Sequence, residues 1–496
     1  MTPSLGKKAV TGTLWIAGST YANFLVNFVA QILLMRLLAP EAFGVVALAM
    51  FFTVLAKKLG GFGFNQALIH QQQDLETAVP THLFCHLAVS GAALALILIF
   101  APMIASGYGR GVSTALIALA VLSVFEDASH TPRIMLEKEL VFGRVAVLNT
   151  TTTLISSVCA VVLAWAGFGM WALVARYGVS VVIGCFWYWL WSPVRFRFRP
   201  HWGTIRWFVR FGGYLWIAGM STFLILELDD FLVGTLVGAV ELGFYNRAYR
   251  FACLPTDLVG HVISRVAFPL YSKLQGDRER LSVTFRMILR AIFTVTAPLA
   301  LILVIVAREF TLILFGERWL PMVPLLRLLV VYAALRPVFD MSGELFVAVG
   351  RPRETGRILL VQAAALVVIC PPLTHRFEAA GAAVSVGAVM VLGVLLAFHR
   401  VRTSVDVRYR EVLLAPSVSA LAATAATLLA ARALPMQSAA LGLVFKTLVF
   451  AAAYLGTLLP VKWSVLRQEM GFVLSRLREP PDAVPREEPG LGEKIP

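Results

Sequence analysis

The chain is dominated by apolar runs of about twenty residues, recurring from one end nearly to the other. A run of that length and polarity matches the rise needed to cross a bilayer as one helix. It is too long for a β-strand, and the apolar residues lack the period-2 alternation of a membrane barrel. Of 496 residues 59% are hydrophobic and 14% charged, with a mean hydropathy of +0.80. A soluble domain carries about 25% charged residues, so a large soluble domain is excluded for want of polar residues to cover it. The fold class read from the chain is an all-α polytopic membrane protein.

Fourteen spans are predicted: 13–35, 44–64, 81–105, 112–130, 145–166, 169–191, 211–236, 246–270, 283–307, 322–349, 357–375, 378–399, 411–431 and 438–460. The first run is too long for the core of a signal peptide and lacks a small-residue cleavage site, so it is expected to remain as the first span. The net charge of +15 raises nucleic acid as a partner. The better account is that basic loops hold a membrane protein on the cytoplasmic side. With the N-terminus placed inside, 31 of the 43 Lys and Arg fall in cytoplasmic segments and nine on the other side. Arg176, Arg336 and Lys446 lie inside spans. One missed helix would reverse every later loop, so the bias favours an even count with both termini cytoplasmic. No outer loop is long enough to hold a soluble catalytic domain. After 460 the chain reads as a basic amphipathic segment, 462–478, suited to the inner leaflet, then a Pro/Glu-rich stretch of disordered composition.

The segment Leu14-Trp15-Ile16-Ala17-Gly18 recurs as Leu215-Trp216-Ile217-Ala218-Gly219, 201 residues later. The hexapeptide at 39–44 has a counterpart at 239–244 in nearly the same register. Two hundred residues hold six spans, an even number, so the copies point the same way and imply parallel six-helix lobes around a central cavity. The expected organisation is an N-terminal lobe at 1–200, a second lobe at 201–405, an appended helix pair at 406–460 and a cytoplasmic tail at 461–496.

Several polar residues stand where lipid would penalise them. Asn23, Asn27 and Gln31 recur every fourth residue, one stripe along the first span. They read as cavity wall or as interhelical hydrogen-bonding glue. The seventh span carries Glu227, Asp229 and Asp230, each costing about 2.5–3.5 kcal/mol at mid-bilayer, and is the candidate ion-coupling site together with Asp257. The eighth offers Arg250, Asp257, His261 and Arg265 on one helical face. An Asp230–Arg250 pair would either fix the fold or open to an anionic substrate. Arg176 is a further candidate, because a guanidinium can donate two parallel hydrogen bonds to phosphate. Lys446 reads as structural, and Arg308-Glu309 and Glu317-Arg318 as a solvated outer rim. Cys85, Cys159, Cys185, Cys253 and Cys370 have no metal-ligand or redox spacing. No catalytic motif, nucleotide loop, metal site or cofactor signature is expected.

Taken in order, several segments resemble one family. Leu33-Leu34-Met35-Arg36-Leu37-Leu38-Ala39-Pro40-Glu41-Ala42-Phe43-Gly44 is similar to the R-L-L-x-P-x-x-F-G pattern after the first helix of Wzx-type oligosaccharide flippases. Asp230, Val233-Gly234 and Glu241-Leu242-Gly243-Phe244-Tyr245-Asn246-Arg247-Ala248 resemble that family's landmarks around helices 7 and 8. So do Pro255, Val266-Ala267-Phe268-Pro269 and Leu314-Phe315-Gly316-Glu317-Arg318-Trp319. The resemblance spans about residues 10–400. It implies membership of the multidrug/oligosaccharidyl-lipid/polysaccharide exporter superfamily: fourteen helices, two six-helix lobes and an appended pair in the bacterial inner membrane. It also implies the substrate, an oligosaccharide repeat unit on undecaprenyl diphosphate, of a colanic-acid-like or xanthan-like kind. Membrane lipids, a polysaccharide polymerase and export machinery would be partners. Three alternatives stay open: a multidrug/cation antiporter, a lipid II flippase, and an integral-membrane polysaccharide polymerase.

Overall fold

The computed structural model describes residues 5–71, 74–139, 142–192, 194, 199–434, 436 and 438–478. Among these every regular element is helical and none is a strand. The N-terminal set comprises α1 (Leu5–Leu37), α2 (Pro40–Gly60), the short α3 (Phe64–His70), α4 (Leu75–Tyr108), α5 (Arg110–Lys138), α6 (Phe142–Trp165) and α7 (Met170–Trp191). The second set comprises α8 (Trp202–Leu236), α9 (Ala239–Ala252), α10 (Leu254–Lys273), α11 (Arg278–Leu314), α12 (Met322–Ala348) and α13 (Pro352–Val401). Then follow α14 (Tyr409–Ala433) and α15 (Ala439–Arg478). In lipid the backbone must satisfy its own hydrogen bonds, so apolar runs of this length become helices. Breaks fall where the chain supplies caps. His201 accepts from the Thr204 amide to start α8, Asp277 accepts from the Arg280 amide at 3.0 Å to start α11, and Pro40 takes the first position of α2.

Among the described residues eleven helices are long and apolar enough to cross a membrane, against fourteen predicted spans. Part of the difference is α13, a single 50-residue element that takes in both predicted spans 357–375 and 378–399. Unbroken, it would rise about 75 Å, more than twice the bilayer core. It is interrupted at Glu378, whose φ of 55° and ψ of −142° are not helical. A Cβ on Gly381 would stand 2.0 Å from the Leu373 carbonyl oxygen, so the break is closed by a residue without a side chain. The predicted eighth span divides into α9 and α10 at Cys253, so the regular stripe from Arg250 to Arg265 does not run on one continuous helix. Asp257, His261 and Arg265 lie outside the described residues as far as their side chains go, as do the side chains of 461–478 and all of 479–496.

Within the first set, α1 packs on α6, α4 on α5, and α7 on both α5 and α6. In the second, α13 packs on α8 and α12, while α11 and α12 enclose α10. The sets join chiefly where α2 meets α9 and α8, and α14 and α15 dock on α11. Outward apolar side chains such as Leu25 and Val368, 62% and 72% exposed, are those of a surface that faces hydrocarbon.

Candidate functional site

The α2–α9 contact brings two backbones together. A Cβ on Gly44 would lie 1.7 Å from the Ala239 carbonyl oxygen, and one on Gly243 would lie 2.0 Å from that of Pro40. The relation is reciprocal: each glycine sits four residues into its own helix and meets the first residue of the other. Around this point the motif segments converge. Trp319, fully buried, donates its indole N–H to the Met35 carbonyl at 2.7 Å, and its ring packs edge-on against Phe43 and Phe244. Arg36 donates to the Leu314 carbonyl at 2.8 Å and also to that of Ile313, at the C-terminal end of α11, where the exposed carbonyls favour a cation. The Arg247 guanidinium lies 4.9 Å above the Phe43 ring.

Along from this junction lies a polar cluster with members on both helix sets. On α8, Asp229 is buried and accepts a hydrogen bond from the Tyr245 hydroxyl at 2.6 Å. Asp230 accepts from the Asn246 side-chain amide, and Asn246 in turn accepts from Arg247. The α8 acids are therefore tied to α9 through Tyr245, Asn246 and Arg247. Among the described residues Asp230 and Arg250 form no ion pair; Asn246 holds Asp230 instead. Arg250 is exposed and near enough for its charge to act on Glu227, Arg247 and Arg176.

Arg176, on α7 of the first set, donates to the Asn27 side-chain oxygen at 2.5 Å and to Ser157 at 3.3 Å. The central residue of the α1 stripe thus faces the same space as Arg250. Asn23 and Gln31 are half-buried, and one side-chain atom of each, Asn23 Oδ1 and Gln31 Nε2, is buried without a partner. Of the sequence candidates, the structure brings together Asn27, Arg176, Glu227, Asp229, Asp230 and Arg250. Sequence reasoning missed Tyr245, Asn246 and Ser157. Two adjacent acids on α8, one buried and one half-buried, demand two donors, and the Tyr-Asn-Arg run on the next helix is the signal that supplies them.

The other intramembrane cations have local partners. Lys446 on α15 pairs with Glu309 on α11 at 2.6 Å, so Glu309 belongs to a half-buried pair rather than to a solvated rim. Arg336 lies 3.8 Å from Asp340 and over the Tyr332 ring.

The arrangement as a whole, two helix sets with a polar cluster between them and an appended pair, is a fold shared with solved membrane proteins. It superposes on the lipid II flippase MurJ in an inward closed conformation with a TM-score of 0.74, over 92% of this chain and 100% of that one, at 11% identity. A multidrug resistance MATE family transporter in an inward-facing conformation follows at a TM-score of 0.58, over 77% of this chain and 95% of that one, at 16% identity. The chain belongs to the polysaccharide biosynthesis protein family, whose model matches residues 33–324. It is 25% identical to the lipopolysaccharide biosynthesis protein WzxC of Escherichia coli over 70% of this chain and 71% of that one. It is 27% identical to the succinoglycan biosynthesis transport protein ExoT of Rhizobium meliloti, over 66% and 67%. With the teichuronic acid biosynthesis protein TuaB of Bacillus subtilis it shares 27%, over 70% and 73%.

Proposed function

We propose that this protein is a transporter, not an enzyme, that moves undecaprenyl-diphosphate-linked oligosaccharide units across the bacterial inner membrane for exopolysaccharide or lipopolysaccharide synthesis. The observation that carries the reading is the grouping of Arg176, Arg247 and Arg250 between the helix sets, beside the polar face of α1. Cations grouped where lipid would be expected need an anion, and a diphosphate with sugars attached cannot cross hydrocarbon unaided. The guanidinium fork suits phosphate. Arg250, exposed and without a fixed ion-pair partner among the described residues, is the first candidate ligand for the diphosphate. Arg176 is the second, with Asn27 placed to meet sugar hydroxyls. The polyprenyl tail would stay in lipid, and the two lobes, 1–200 and 201–405, would rock about the α2–α9 junction.

The acid cluster has the separate task of coupling. Glu227, Asp229 and Asp230 stand on α8, and α9 carries both their hydrogen-bond partners and Arg250. An ion or proton arriving there would change the seat of Arg250. The 31-to-9 bias of basic residues supports cytoplasmic termini. A polysaccharide polymerase and export machinery would consume the product outside. The test is leaflet accessibility of the lipid-linked oligosaccharide in a strain lacking its own flippase. Wild-type protein should restore outer-leaflet exposure, and correctly folded Arg176→Ala and Arg250→Ala should not.

A further inference from the structure

A second polar cluster lies among helices of the first set. Asp127 on α5 is buried, its side chain 4% exposed. His86 Nδ1, from α4, lies 3.6 Å from Asp127 Oδ1, and His130 Nε2, one turn along α5, lies 3.5 Å from the same oxygen. One ligand atom from each of the three falls within 4.8 Å of the other two. Two further atoms here are buried and without a hydrogen-bond partner, Asp127 Oδ2 and His86 Nε2. An unpartnered carboxylate oxygen in a dry site costs about 1–3 kcal/mol or more, so something is expected to meet it.

The neighbouring charges leave a deficit of one cation. Lys57 on α2 lies 2.7 Å from Glu126 and 3.3 Å from Asp127. Glu126 also accepts from the Tyr177 hydroxyl at 2.8 Å. Glu126 is therefore well supplied, while Asp127 shares one ammonium at the longer distance. Two carboxylates against one lysine sum to −1. Two imidazole nitrogens and a carboxylate are the donor set of a borderline divalent ion such as Zn²⁺, Co²⁺ or Ni²⁺, rather than of Mg²⁺ or Ca²⁺. Tetrahedral bonds to such an ion place ligand atoms about 3.4 Å apart. Two of the three separations already match that spacing, and the third is within 4.8 Å.

We propose that His86, Asp127 and His130 form a divalent transition-metal site inside the N-terminal helix set. His130, a quarter exposed, gives the ion its approach and leaves a fourth position to water. The ion would clamp α4 to α5 beside Lys57 of α2, at the end of the set that the basic-residue bias assigns to the cytoplasm. It would thereby stiffen one lobe without touching the interlobe site.

The test uses the full-length protein in lipid nanodiscs, stripped with chelator and titrated with Co²⁺ and then Zn²⁺. Wild type is expected to bind one equivalent of Co²⁺ with the intense visible absorption of a tetrahedral ion. His86→Ala and His130→Ala should each weaken binding about tenfold or more. His375→Ala, at an exposed histidine elsewhere, should leave it unchanged. X-ray absorption of Zn²⁺-loaded wild type, which needs no variant to fold, should show two imidazoles in the ligand shell. No saturable one-equivalent binding, wild-type affinity in both histidine variants, or a shell without imidazole scattering would overturn the proposal.

Discussion

Gly44 of α2 and Gly243 of α9 each stand four residues after the start of their helix, and each meets the other helix's first carbonyl with no room for a side chain. The contact is reciprocal, each helix start meeting the glycine of the other. It holds the two helix sets together where the first, second and later motif segments meet.

That contact predicts a strong response to the smallest substitution. Gly44→Ala places a methyl 1.7 Å from a backbone oxygen, which neither helix can avoid without moving. A cost of about 1–3 kcal/mol is expected, read as a lower melting temperature of purified protein and reduced transport. Gly18→Ala, with open space around it, should do neither. Equal stability of the two variants would mean that the close approach is not what joins the sets.

The Lys446–Glu309 pair predicts that α15 is pinned to α11 by charge. Lys446→Ala leaves Glu309 without its cation, and one Glu309 oxygen is already unpartnered. Both side chains are partly screened, so the loss should be about 1–3 kcal/mol, below that of a fully buried pair. Replacing both with Met and Leu should recover most of it. A single variant as stable as wild type would show that packing alone docks the appended helices.

Orientation is tested by single-cysteine labelling of intact cells. Glu317 and Arg199 are both exposed. A cysteine at 317 should react with an impermeant maleimide and one at 199 should react only after permeabilisation. The reverse pattern would invert the topology.

Much of this was readable in the chain, for identifiable reasons. Membrane helices declare themselves by length and polarity, so most predicted spans lie within helices, although α1, α8, α11 and α15 run well past them. The acid cluster declares itself by the cost of charge in lipid. Partners were harder to read. Rise per residue sets Asp230 and Arg250 at similar depth, but the turn of α9 about its axis decides which residue faces α8, and it brings Asn246 round. Arg176 meeting Asn27 depends on how α7 lies beside α1, and spacing along one helix says nothing of that. The His86–Asp127–His130 group joins two helices some forty residues apart in sequence, with only the Asp127–His130 spacing local. Backbone interruptions at Cys253 and Glu378 carry no proline or glycine signal at the residue itself, which is why one predicted span is divided and two are merged.

The α8–α9 hydrogen bonds make a definite prediction for the acid cluster. Asp230→Asn keeps the shape, removes the charge and should abolish transport while the protein still folds. Exchanging the pair, with Asp230→Arg and Arg250→Asp together, should not restore transport, because Asn246 rather than Arg250 holds Asp230. Full recovery in that double variant would make the two residues a simple ion pair and remove the coupling role.

The central claim is that Arg250 binds the diphosphate of a lipid-linked oligosaccharide. Its most direct test is outer-leaflet accessibility of that lipid in a strain whose only flippase is this protein or its variants, at matched expression. Lysine keeps the charge but not the bidentate fork, so Arg250→Lys should give partial exposure and Arg250→Ala almost none. Wild-type exposure from a correctly folded Arg250→Ala protein would contradict the account.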